Sequence, residues 1–137
     1  MTNAERSYGW LTRLAGHSLD QARSLVASAL KEQGFGILTE IDVRRTLKEK
    51  LGQDFRPYVI LGACNPNLAH AALSAELAVG LLLPCNVCLW EEEGATMVAI
   101  ARPDAMFRIV DDPKLQPIAA EAQRRLQAVF DAIQRPT

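Results

Sequence analysis

The run Tyr58-Val59-Ile60-Leu61-Gly62-Ala63, closed at once by Cys64-Asn65-Pro66, constrains the fold more than any other stretch. It is almost wholly apolar and rich in residues that suit a pleated surface, so it reads as a central strand. Asn65 then supplies an N-cap and Pro66 the fixed φ of a first helical position, which turns the strand into a helix within two residues. Leu68, Ala69, Ala72 and Leu73 give that helix an inward face. Such a strand needs partners beside it and a covering layer of helices.

The rest of the chain supplies both. Ser7 to Leu14 sets Tyr8, Trp10, Thr12 and Leu14 against smaller or polar residues, the period of a strand with one buried face. Ser18 with Gln21 forms a capping box, and Ala22, Leu25, Val26, Ala29 and Leu30 repeat at helical spacing up to Gln33. Gly34 suits a left-handed cap, and Gly36 to Ile41 reads as a strand. Asp42 caps a second helix with Val43, Leu47 and Leu51 on one stripe, and Gly52 ends it. Leu81 to Leu83 and Val87 to Glu91 read as one interrupted strand or two, turning at Glu92 to Ala95 into a strand over Thr96 to Ala101. Pro84 marks an edge, a bulge or a break, because it cannot donate to a ladder. Pro103 to Val110 is a short helix, Asp112-Pro113 repeats the cap-plus-proline signal, and Ile118, Ala122, Leu126, Val129 and Ile133 lie along a long amphipathic helix. The order β-α-β-α-β-α-β-β-α predicts an α+β fold, a mainly antiparallel sheet with helices packed on one face.

Composition narrows the function classes. A chain of 137 residues fits one domain stabilised by packing alone, and 23% charged residues with net charge −1 give no electrostatic reason to bind nucleic acid. The longest apolar stretch, Ala78 to Trp90, contains Pro84 and Asn86 and falls short of the roughly 20 residues a membrane span needs. The amino-terminal residues carry an acid and a base without an apolar core behind them, so cytoplasmic residence is the expectation, and three cysteines then fit a reducing compartment.

Chemistry concentrates in two Cys-Asn steps, Cys64-Asn65 and Cys85-Asn86. Cys64 precedes a helix start, where unpaired N–H groups and the positive end of the dipole favour a thiolate. His70, one turn into that helix, is within reach of a role as base or ligand. The competing reading is structural: a small apolar residue at a sharp turn, a cap at Asn65 and a solvated histidine. Cys85 and Cys88 have C-x-x-C spacing, but residues three apart in a strand point to opposite faces, which argues against a redox pair or a zinc knuckle. No phosphate-binding glycine loop or H-E-x-x-H motif is present. Arg44, Arg45, Lys48, Lys50 and Arg56 form a basic group interleaved with Glu40, Asp42, Glu49 and Asp54, and no aromatic platform accompanies them.

Gly34-Phe35-Gly36-Ile37-Leu38-Thr39-Glu40-Ile41-Asp42-Val43 and Thr46 to Gly52 carry a resemblance, together with Phe55 to Tyr58, Leu61 to Pro66, Leu68-Ala69 and Leu82 to Val87. These segments, in this order, resemble the bacterial and archaeal domain-of-unknown-function 302 family from about Tyr8 to Ile133. The resemblance implies a sheet similar to that of the TATA-binding protein, a small and often homodimeric protein, and no established activity. It places Cys64, Asn65, Pro66, Pro84, Cys85 and Asn86 on signature segments, along with Thr39, Glu40 and Asp42. Cys88 departs from the family's branched apolar residue. Residues 1–7 fall outside the resemblance and read as a disordered tail, leaving 8–134 as the domain.

The resulting expectation is a homodimeric small-ligand-binding module with Cys64, Asn65, Cys85, Asn86, Thr39 and Glu40 at a thiol-lined site. Dimerisation draws on Trp10, Leu89 and Trp90, which lie on strands with a second face for another chain to cover. The alternatives are a redox or sulfur-transfer protein using Cys64 and Cys85 with His70, metal or haem ligation by the same residues, and a purely structural role. The cofactor is unknown, no dedicated metal site is expected, and neither a nucleic acid nor a membrane is expected as partner.

Overall fold

A computed structural model describes residues 4–6 and 8–135. Six strands form one antiparallel sheet: β1 Ala4–Arg6, β2 Gly9–Ala15, β3 Gly36–Asp42, β4 Tyr58–Cys64, β5 Cys85–Glu92 and β6 Ala95–Ala101, ordered β1-β2-β6-β5-β4-β3. The helices are α1 Leu19–Glu32, α2 Val43–Leu51, α3 Pro66–Ala75, α4 Pro103–Phe107 and α5 Gln116–Ile133. The fold is the α+β class that the periodicities predict. Part of the supposed disordered tail is a strand, since Ala4–Arg6 pairs with Gly9 to Leu11. Residues 1–3 and 7 of that tail lie outside the described residues.

Local signals set the helix starts. Ser18 Oγ accepts the Gln21 N–H at 3.1 Å while Gln21 Oε1 accepts the Ser18 N–H at 2.9 Å, a complete capping box at α1. Asp42 accepts the Arg45 N–H at α2, and Asn65 accepts the Leu68 N–H at α3 with Pro66 in the first turn. Two expectations fail. Leu81 to Leu83 is not the first arm of a strand: Leu77–Leu82 is a 3-10 segment, because Glu76 caps it through the Ala78 N–H and Val79 packs inward. The ladder begins only at Cys85, after a cis Leu83-Pro84 bond. In α2, Val43 and Leu47 are half-buried but Leu51 is exposed, so its stripe does not reach a core.

Strand alternation assigns every sheet residue to a face. Trp10, Leu14, Val59, Leu61, Ala63, Val87, Leu89, Val98 and Ile100 point toward α1 and α5 and, with Val26, Leu30, Leu126, Val129 and Ile133, form the main core. Trp10 stacks on Phe130 at 5.9 Å with Arg102 over its ring, and Leu89 is fully buried, so neither serves an uncovered face. A second core of Ala72, Val79, Phe107, Leu115 and Ala119 joins α3, the 3-10 segment and α4 to α5. Among the described residues, no helix is long and apolar enough to cross a membrane.

Candidate functional site

The first Cys-Asn step is engaged in holding the fold. Asn65 is buried, and while Oδ1 caps α3, Nδ2 donates to the Gln33 carbonyl at 3.4 Å. Arg125 Nη1 donates to the same carbonyl at 3.1 Å, so one oxygen ties the end of α1 to α3 and α5. Gly34 (φ +82°) is required there, because a Cβ would lie 2.9 Å from Asn65 Nδ2.

Cys64 and Cys85 do come together, on the lining of one cavity with Phe35, Leu68 and Pro84. Its volume is about 30 Å³, room for a water molecule, which needs about 10–15 Å³, and not for a ligand. Burial, and then the charge of Cys64, push the Cys85 thiol up to about 11. Burial raises Cys64 as well. That direction is opposite to the lowering expected from its place before α3, and desolvation is its cause. His70 faces solvent and does not line this cavity.

The opposite face of the sheet holds a larger opening. Ile41, Ile60, Cys88, Ala99 and Leu11 follow one another across β3, β4, β5, β6 and β2 in one register row. Thr39, Gly62 and Asn86 form a parallel row, and Tyr58, Trp90, Met97 and Arg13 another. Glu40 is on the helix side instead, where its carboxylate accepts Arg23 Nε at 2.8 Å. Two of the four basic residues of α2 are also partnered, Arg45 with Glu49 and Lys48 with Asp54.

Above these rows lies a cavity of about 340 Å³, walled by Tyr8, Leu11, Cys88, Trp90, Ala99 and Met106, with Asn86 at its edge. A neighbouring opening of about 240 Å³ shares Asn86, Ala101 and Met106 and runs to Leu81 and Pro84. The Asn86 side chain is exposed and makes no hydrogen bond to the described residues. One wall is rigid: Tyr58 and Trp90 stack at 5.4 Å with planes 6° apart, and Trp90 Nε1 donates to Glu92 at 3.2 Å. Burial, and then the neighbouring Cys88 side chain, push Tyr58 up to about 12. Burial also raises Cys88, and Tyr58 offsets part of that rise.

Sequence reasoning set Cys88 aside because it points away from Cys85. The inference about its direction is correct, and that direction carries it into the larger cavity. The signal was present as Asn86, Cys88 and Trp90, two residues apart, which a strand places on one face. Among the described residues, no three His, Cys, Asp or Glu side chains gather in a way that could hold a metal ion.

A family model described as DUF302, a domain of unknown function, matches residues 11–133. The chain belongs to the DUF302 family. It is similar to the crystal structure of an uncharacterized conserved DUF302 protein from Bacillus stearothermophilus, at 33% identity and a TM-score of 0.83, covering 93% of this chain and 98% of that one. No curated protein matches it. The sheet face with Asn86, Cys88 and Trp90 lies within the residues that this family model matches.

Proposed function

We propose that this DUF302 chain is a small-ligand-binding module whose site is the cavity at Asn86, Cys88 and Trp90. The observation that carries this reading is an opening of about 340 Å³, inside the range of roughly 300–1,000 Å³ typical of ligand pockets, with an unpaired carboxamide at its edge. Among the described residues, no carboxylate, lysine or arginine lines it. The ligand is therefore neutral and largely apolar, with a donor and an acceptor side by side to match Asn86. The site is lined by one thiol, Cys88, and the Cys64–Cys85 cavity is too small to take part.

2-Naphthamide, a neutral aromatic amide, is a suitable probe, read through quenching of Trp90. Saturable quenching should be lost in Ala99→Phe, which fills the cavity, and weakened about tenfold in Asn86→Leu, which removes the amide. No saturable quenching in the wild type, or unchanged quenching in Ala99→Phe, would sink the proposal. The thiol-transfer alternative needs a thiolate, which the raised values of Cys64, Cys85 and Cys88 oppose.

A homodimer is favoured by a second observation on the same face. Tyr8 and Ile41 are 61% and 49% exposed at its two sides, and the apolar row from Ile41 to Leu11 runs between β3 and β2. A second copy laid over that row would close the cavity. Sedimentation at micromolar concentration tests this, and a monomer throughout would overturn it.

A further inference from the structure

Among the described residues, the three most exposed large apolar side chains lie outside the sheet strands. Leu81, Leu77 and Ile109 are 89%, 84% and 79% exposed, against 67% for the next, Leu38. Leu77 and Leu81 stand on the 3-10 segment Leu77–Leu82, and Ile109 stands on the turn after α4. Both supports are fixed from beneath: Val79 and Phe107 belong to the second core, against which Leu82 and Val110 pack. The exposed side chains are therefore held outward by an ordered base.

Leu81 and Ile109 line an open groove of about 620 Å³ with Val79 and Val110. Its ionisable lining is acidic throughout: Glu76, Asp111 and Asp112. Glu76 and Asp112 each accept one backbone N–H, from Ala78 and Lys114, and Asp111 makes no hydrogen bond to the described residues. Arg108 and Lys114 are close in sequence but do not line the groove. Apolar lips over a negative rim select against an anionic lipid surface and for a partner that is apolar and basic together.

We propose that this groove docks a short basic amphipathic segment of a partner protein, its apolar side chains seated between Leu81 and Ile109 and its lysines or arginines facing Glu76, Asp111 and Asp112. The groove meets the opening beside Asn86 at Leu81 and Leu82, but the proposal does not depend on that cavity.

The test titrates the full chain with a labelled 14-residue helical peptide of leucine and lysine, its leucine and glutamate counterpart, and vesicles of phosphatidylcholine with phosphatidylglycerol. The lysine peptide should bind, and its affinity should fall at least tenfold in Leu81→Ser/Ile109→Ser. Asp111→Asn should reduce the salt dependence of binding without altering the circular dichroism melt. Failure of the lysine peptide to bind, equal binding by the glutamate peptide, unchanged affinity in the double variant, or binding to vesicles alone would each overturn the proposal. If the double variant does not fold, Asp111→Asn decides the matter through its salt dependence.

Discussion

At the residue scale, Gly62 shows how closely the outer face is packed. A Cβ there would overlap the Thr39 hydroxyl and lie 2.7 Å from Pro84 Cγ. Gly62→Ala should therefore destabilise the fold by about 1–3 kcal/mol, seen as a lower urea midpoint. Thr39→Ala in the same chain should restore part of the loss; a midpoint unmoved by Gly62→Ala would remove the account. Cys85 gives a pH effect of definite sign. Its folded value of about 11 lies above the ordinary 9.0, so between those values the unfolded chain releases a proton that the folded chain keeps. Stability is then full below pH 9 and falls toward pH 11, by at most about 1.4 kcal/mol per pH unit. Urea unfolding at pH 8 and pH 10 should show a steeper fall in the wild type than in Cys85→Ala, and parallel falls would contradict the assignment.

At the element scale, the sequence was legible wherever a local signal decided the structure. The capping box at Ser18 and the Asn65-Pro66 start of α3 need only neighbouring residues to form, and both occur as read. Ser18→Ala should cost about 1 kcal/mol in thermal or urea unfolding, with Ser18→Asp close to the wild type. The same local reading misjudged Leu81 to Leu83, where the 3-10 segment Leu77–Leu82 ends. An apolar run of that length suits a strand or a buried turn equally, and the choice falls to the contacts of Val79 with the second core. Leu51 failed for a related reason: helical spacing sets a stripe, but only the surrounding elements determine whether anything covers it.

At the scale of the whole molecule, strand order was the information least accessible from sequence. Nothing near residue 10 indicates that β2 will pair with β6, and that pairing sets Leu11 beside Ala99. The cavity at Asn86 depends on it, since Tyr8, Leu11 and Ala99 come from opposite ends of the chain. The two Cys-Asn steps, readable as motifs, gave no hint of whether space existed beside them. If the same face pairs two copies, Ile41→Lys should shift sedimentation toward monomer while leaving the thermal melt within about 0.5 kcal/mol, as for other surface changes. Unchanged assembly would place any interface elsewhere.

The pairing of Trp10 with Ile100 also sets a timetable for a ribosome. β2 leaves the tunnel long before β6, its partner toward the sheet centre, has been made. At roughly 5–20 residues per second, that strand waits about 5–20 s before its ladder can close. During synthesis β1 and β2 can pair only with each other and β3 and β4 only with each other, while α1 waits for β5 and α5. The nascent chain thus carries an open edge on β4 until β5 is made and one on β2 until β6 is made, and the β2 edge stays open the longer of the two.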